Sequence, residues 1–231
     1  MNETSSDPLI EFRMSNVEAT LNIATAAKKT GVKRFIYMSS VKVNGEETFD
    51  RPFTASDTPH PEDPYGISKA EAEVELLKLN VPGIFEVVII RPPLIYGLGV
   101  KANFEKLYKF AGHQFPMPFG LVKNKRSLVS VFNLVDLIIT TLSHSHAGGE
   151  IFMASDDHDL SLAELIKLMA KVQNKKAYLI PVPVALMKFF AKLLGKKSYA
   201  DRLFGNLQVD SEKTKRLLDW KPPYSFEATF N

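Results

Sequence analysis

The 231 residues contain no cysteine, which removes disulfides, thiolate metal sites and thiol nucleophiles from consideration. A reducing, cytoplasmic setting fits that absence, and no metal site is expected. Long apolar runs are missing as well. The longest, residues 180–194, is interrupted by Pro181, Pro183, Lys188 and Lys192 and is too short and too polar to span a bilayer. The first dozen residues lack the basic-then-apolar order of a secretory signal, so the Asn2-Glu3-Thr4 sequon reads as chance. Neither sign of charge dominates: 29 basic and 26 acidic side chains are interspersed and leave a net +3, which points to no nucleic-acid partner. What remains is ordinary globular composition, 45% hydrophobic and 24% charged, enough for one large domain or a domain with a small lobe.

Along the chain, Asp7 and Pro8 form a helix start, with Gly31 as the stop after Lys29. Arg34-Phe35-Ile36-Tyr37-Met38 is a short apolar run that reads as a buried strand ending in Ser39-Ser40. A polar, proline-bearing loop covers 44–64, and 65–79 is rich in helix formers. Residues 85–90 are β-branched and apolar, a second buried strand, stopped by Pro92-Pro93. This rhythm of helix, strand, helix, strand predicts an α/β domain with a parallel sheet. Further on, helices are expected at 133–142, 161–172, 184–194 and 211–218, and short strands at 150–154 and 178–181. Ser161 and Glu164 form a capping box. The division expected is residues 1–102 for the sheet domain and 103–231 for a smaller mixed lobe, some of whose segments return to the sheet.

Tyr65 and Lys69 lie four residues apart at a helix start, so they share one face. A free tyrosine titrates at about 10, and a neighbouring ammonium lowers that value and favours the phenolate. The pair therefore suits proton transfer at an alcohol that becomes a ketone, with a strand-end serine sharing the substrate oxygen. The spacing alone is uninformative, since this composition produces about one Tyr-x-x-x-basic pair by chance. Context supplies the weight: the pair follows a strand ending in Ser-Ser, opens a helix and precedes another strand.

The segments 34–40, Asp63-Pro64-Tyr65-Gly66-Ile67-Ser68-Lys69, Ile90-Arg91-Pro92-Pro93-Leu94-Ile95-Tyr96-Gly97 and Asp219-Trp220-Lys221-Pro222-Pro223 closely resemble extended short-chain dehydrogenases/reductases of the nucleotide-sugar epimerase/dehydratase branch. Asn16-Val17-Glu18-Ala19-Thr20 resembles that family's helix motif, with Ala19 where glycine is usual. The resemblance implies a partial Rossmann-like, doubly wound parallel sheet that lacks its first strands, with a mixed α/β C-terminal substrate lobe. It implies catalytic roles for Ser40 (with Ser39 as fallback), Tyr65 and Lys69, and contact of Tyr65, Lys69, Pro92 and Pro93 with NAD or NADP. It places Asn103, Arg126 and, more weakly, Arg202 on the diphosphate of a nucleotide-sugar substrate, and Lys42 at the sugar. A guanidinium suits a diphosphate because its planar fork binds two oxygens at once. Without the resemblance, Arg126 reads equally well as a solvated loop cation beside Lys123 and Lys125. The resemblance also implies a homodimer through helices 7–30 and 65–80.

Departures from the family pattern, Leu94 for asparagine, Asn133 for an acid and Lys42 for a small hydroxyl residue, leave two reactions open. One is 4-epimerisation of a UDP-sugar; the other is NAD(P)H-dependent reduction of a 4-keto nucleotide sugar. A larger departure is the absence before Ser40 of a strand, Gly-x-Gly-x-x-Gly turn and helix. Gly97-Leu98-Gly99-Val100-Lys101-Ala102 follows a proline-broken strand and has no acid about 20 residues on, so it reads as a substrate-side loop. The segment in question amounts to roughly 60–70 residues. The expectation is an N-terminally shortened member with an open strand edge that binds NAD(P) weakly or not at all, or a non-catalytic dimerising remnant. One stretch stands outside this account: residues 186–197 are basic and amphipathic. Packing of that helix's apolar face on the small lobe is the reading favoured over a membrane surface, and a membrane partner is not expected.

Overall fold

The computed structural model describes residues 7–100, 103–113 and 115–230. Ser6, the sequon, Lys101 and Ala102 lie outside the described residues. Helix α1 (Pro8–Arg13) is capped by Asp7, whose carboxylate accepts from the Ile10 amide at 3.2 Å. It runs through a π-helical segment, Met14–Glu18, into α2 (Ala19–Lys29). Gly31, at φ +81°, turns the chain towards strand β1 (Arg34–Met38). Helix α3 (Pro64–Leu79) leads to β2 (Glu86–Arg91). The prolines end β2 as expected, but the strand direction resumes at once in β3 (Leu94–Tyr96).

Beyond lie α4 (Asn103–Ala111), β4 (Leu128–Ser130), α5 (Val131–Ser143), β5 (Ile151–Met153) and α6 (Leu162–Val172). The chain ends with α7 (Val184–Leu193), α8 (Lys197–Phe204) and α9 (Glu212–Leu218). The capping box at Ser161 and Glu164 is present. The expected strand at 178–181 does not form; Leu179 makes one isolated bridge to Met117 because no second strand runs beside it. Helices α4 and α8 and strand β4 were not anticipated.

The main sheet has the order β1-β2-β5, all parallel, and β3 and β4 form a second parallel pair. Side chains alternate across β2. Val87 and Ile89 pack with Ala24, Ala72, Leu76 and Phe85 beneath α2 and α3. Val88 and Ile90 pack on the opposite face with Leu134 and Leu137 of α5, Phe152 and Trp220. Helices therefore cover both faces, which explains why β2 reads as a continuous apolar run rather than an alternating one. A separate core joins α4 and α6 to β3 and β4 through Tyr96, Phe104, Leu128, Ile166 and Phe226.

Two apolar surfaces remain open. Among the described residues β1 has β2 on one side and no strand on the other. The outer face of α5 exposes Val135, Ile139 and Leu142. In the C-terminal lobe, α7 contains no fully buried residue. Its Val184 and Met187 touch the lobe core, whereas Leu186, Phe189, Phe190 and Leu193 face solvent. The expected packing of an apolar face on the lobe is seen at Val184 and Met187, but the helix carries a second apolar stripe that stays exposed.

Candidate active site

The carboxyl ends of β1 and β2 lie side by side, where open α/β sheets place their ligands. Ladder-like bonds continue past the strands, Ser39 N–H to Ile90 O at 2.8 Å and Val41 N–H to Pro92 O at 3.0 Å. They bring Ser40 and the Pro92-Pro93 turn to one edge. Helix α3 delivers Tyr65 and Lys69 to the same place. Asp63 caps it, accepting from the Gly66 amide at 2.7 Å. Glycine is required at 66 because a Cβ there would lie 2.7 Å from the Lys42 carbonyl oxygen. The π-helical segment contributes Asn16, whose Nδ2 donates to Ser68 Oγ at 2.9 Å, while that hydroxyl donates to Tyr65 O at 2.8 Å. Such segments mark local distortions in a helix, here spent on fixing the start of α3. Below them Arg91, fully buried, donates from Nε to Glu73 Oε1 at 2.9 Å and from Nη1 to Asn44 Oδ1 at 3.1 Å. One guanidinium thus ties β2, α3 and the loop after Ser40 together.

Ser40, Lys42, Tyr65, Pro93, Leu94, Arg126 and Arg202 line one cleft of about 740 Å³. Helix α4 contributes Lys106, Leu107 and Phe110. Asn103 opens α4, but its side chain lies outside the described residues. Tyr65 and Ser40 line the same cleft, and the Ser40 hydroxyl works to lower the Tyr65 value. Ser39 is buried, and its Oγ has no partner among the described residues. Ser40 lines the cleft, and Ser39 does not.

The electrostatics differ from the sequence reading. Burial pushes the Tyr65 hydroxyl above its ordinary value, and the cation that opposes this is Lys42, with Asp63 acting against it. Lys69 was expected to lower Tyr65. Instead its ammonium donates to Met38 O at 2.8 Å and sits 4.5 Å from the Tyr37 ring centroid and 5.8 Å from that of Tyr65. Burial also holds Lys69 itself below the usual ammonium value. Lys42 Nζ is held by Glu46 at 2.9 Å and by Asp63. Burial pulls Lys42 down, but the two carboxylates outweigh it and leave Lys42 raised. Arg202 lies 3.5 Å from Glu46 and 3.9 Å from Asp63, which closes a cluster of two cations and two anions. Sequence reasoning gave neither acid a role: Glu46 lies in the loop read over 44–64, and Asp63 enters only as the first residue of the Asp63–Lys69 motif.

Arg126 is not a solvated loop cation. Its backbone bridges both Leu160 and Leu207, and its Nη1 donates to Arg202 O at 2.6 Å. Burial lowers its titration value. Neighbouring Lys123 and Lys125 are exposed. Asn133 is structural, donating to Asp156 Oδ1 at 2.7 Å and accepting from the Tyr224 amide at 2.8 Å. A second cavity of about 480 Å³ lies beside Tyr96 and Asp156. Asp156 is already committed to Tyr96, the Ser130 amide and Asn133, so that cavity presents no free acid from this residue.

Parallel strands with helices on both faces, and a hydroxyl–phenol pair at their carboxyl ends, define a Rossmann-like α/β fold of the short-chain dehydrogenase/reductase type. Residues 2–154 match the NAD dependent epimerase/dehydratase family, and the chain belongs to that family. It is 47% identical over 232 residues to a UDP-glucose 4-epimerase of Vibrio cholerae, covering 100% of this chain and 71% of the relative. It is 33% identical to an N-acetyl-alpha-D-glucosaminyl-diphospho-ditrans,octacis-undecaprenol 4-epimerase of Escherichia coli O157:H7, over 79% of this chain and 57% of that one. Among solved structures, WbmG of Bordetella bronchiseptica in complex with NAD and UDP superposes with a TM-score of 0.71 at 20% identity, over 99% of this chain and 68% of that one.

The residues present fit one end of NAD. The Lys69 ammonium lies 5.8 Å from the Tyr65 ring centroid, where it could donate to a nicotinamide ribose. Between β1 and the first described residue there is no glycine-rich turn of the kind that holds a pyrophosphate.

Proposed function

We propose that this protein is a nucleotide-sugar 4-epimerase acting on a UDP-sugar. One observation carries the reading: Tyr65 and Ser40 line, together with Arg126, one cleft at the carboxyl ends of β1 and β2. Identity to the Vibrio epimerase supports the same choice. Tyr65 removes the proton from the sugar hydroxyl and later returns one to the ketone, Ser40 shares that oxygen, and Lys69 holds the cofactor ribose. NAD, when bound, supplies the hydride acceptor and donor. Arg126 holds the diphosphate with its forked donors, and Arg202 assists. Residues 103–231 form most of the substrate side, with α5, β5 and α9 returning to the sheet. The chain pairs with a second copy through α1–α2 and α3, whose outer faces expose Ile10, Met14, Ile23 and Val74.

Incubation of the protein with NAD and UDP-glucose tests the reading. The expected result is conversion to the 4-epimer with no net change in NADH absorbance. Stoichiometric consumption of NADH or NADPH with a 4-keto nucleotide sugar would instead establish a reductase.

A further inference from the structure

The lysines of the chain are unevenly placed. Residues 165–200 hold eight lysines and no acidic residue, so a net +3 for the chain divides into +8 in this segment and −5 elsewhere. Within the segment lies the two-faced helix α7. Its inner stripe, Val184 and Met187, rests on the lobe core. Its outer stripe, Leu186, Phe189, Phe190 and Leu193, follows the same spacing on the opposite side. Phe189 is 56% exposed and Leu193 67%, and Leu194, just past the helix, is 74% exposed. A helix apolar on every side but one flank belongs in an interior, and among the described residues its outer stripe stays exposed. Lys192, Lys196 and Lys197 are exposed and make no ion pair among the described residues, while Lys188 pairs with Asp201 at 3.0 Å.

We propose that α7 docks this protein on an anionic lipid bilayer. The charge decides the occupant. A second copy of this surface would set lysine against lysine, whereas anionic headgroups neutralise them. Phe189, Phe190, Leu193 and Leu194 then enter the boundary between headgroups and acyl chains, and the flanking lysines lie along it with their ammonium groups in the headgroups. No described helix is long and apolar enough to cross a membrane, so the contact is peripheral. Helix α8 packs on α7 and lines the cleft through Tyr199, Arg202 and Leu203. Docking therefore sets the cleft mouth beside the bilayer. The proposal rests on α7 and its lysines, not on the reaction assigned to the cleft.

Co-sedimentation with vesicles tests it, comparing pure phosphatidylcholine with a mixture containing about one-third phosphatidylglycerol. At low salt the anionic vesicles are expected to retain at least about tenfold more protein, an excess that falls at high ionic strength. Phe189→Glu with Leu193→Glu should abolish the excess while leaving circular dichroism and melting unchanged, because both side chains face solvent. Lys192→Glu with Lys196→Glu and Lys197→Glu should do the same without touching the apolar stripe. Equal retention on both vesicle types overturns the proposal, as does undiminished binding by either folded variant. Conversion of a dimer to a monomer by the Phe189/Leu193 variant also overturns it, since a second copy would then be what covers α7.

Discussion

The two walls of the cleft are built in different ways. The wall carrying Ser40, Tyr65 and Lys69 hangs from the ends of β1 and α3, elements whose register is set by ladders, a capped first turn and the buried Arg91–Glu73–Asn44 node. The facing wall carries Arg126 and Arg202. It is built on bridges from Arg126 to Leu160 and Leu207 with side-chain bonds from Asn124 and Arg126, and on α8, in which only Ala200 is buried. Groups that must meet a reacting bond with small tolerance sit on the rigid wall. Groups expected to grip a ligand sit on a wall tied by contacts between segments far apart in the chain, such as Arg126 Nη1 to Arg202 O and Asn124 Nδ2 to Gly205 O.

Substitutions on each wall test that contrast. The largest effect is expected for Tyr65→Phe, which should lower turnover by ~10²–10⁴-fold with unchanged folding, because it deletes one hydroxyl used for proton transfer. Steady-state kinetics and a melting curve check both halves. Arg91→Met comes next: it strands the Glu73 carboxylate in the interior and should cost about 3–5 kcal/mol in urea unfolding. An Arg91→Met protein as stable as the wild type would show that the rigid wall does not depend on this node. On the opposite wall Arg126→Met should raise KM by tenfold or more, about 1.5–3 kcal/mol, with a smaller effect on kcat. Equal losses in kcat and kcat/KM would move Arg126 from ligand grip to the reacting centre.

The smallest effect concerns Asp63. Burial pushes its carboxyl up, but Lys42 and the Gly66 amide outweigh this and hold it below its ordinary value. The stability Asp63 contributes is therefore full above about pH 4 and disappears as pH falls through the folded-state value. Asp63→Ala should cost about 1–2 kcal/mol at neutral pH and progressively less in acid. Urea melts across that range read the difference.

The sheet wall was legible in the sequence because its signals are local. An apolar run, a Ser-Ser end and a Tyr-x-x-x-Lys spacing are each read within a few residues. Even there, one cation that acts on Tyr65 was not seen. Spacing along α3 pointed to Lys69, yet Lys42, brought close by the loop after Ser40, exerts the resolved influence. Helix-face arguments see i and i+4 but not an approach from another segment. The lobe wall was legible only through family resemblance. The contacts that define it, such as Arg126 with Arg202 or Asn124 with Gly205, span 76 and 81 residues and leave no periodic trace. The outward stripe of α7 was visible as a pattern, but only packing could show which of its two apolar sides the lobe covers.

The free side of β1 has a practical consequence. Its outward N–H and C=O groups offer a template to any extended chain, and parallel addition there needs no change in the sheet already formed. Handling at high concentration should therefore favour edge-to-edge self-association that builds slowly, scatters light and worsens on warming. Short strands and nearby charge restrain such growth in general, and β1, five residues long with Arg34 at its start, has both.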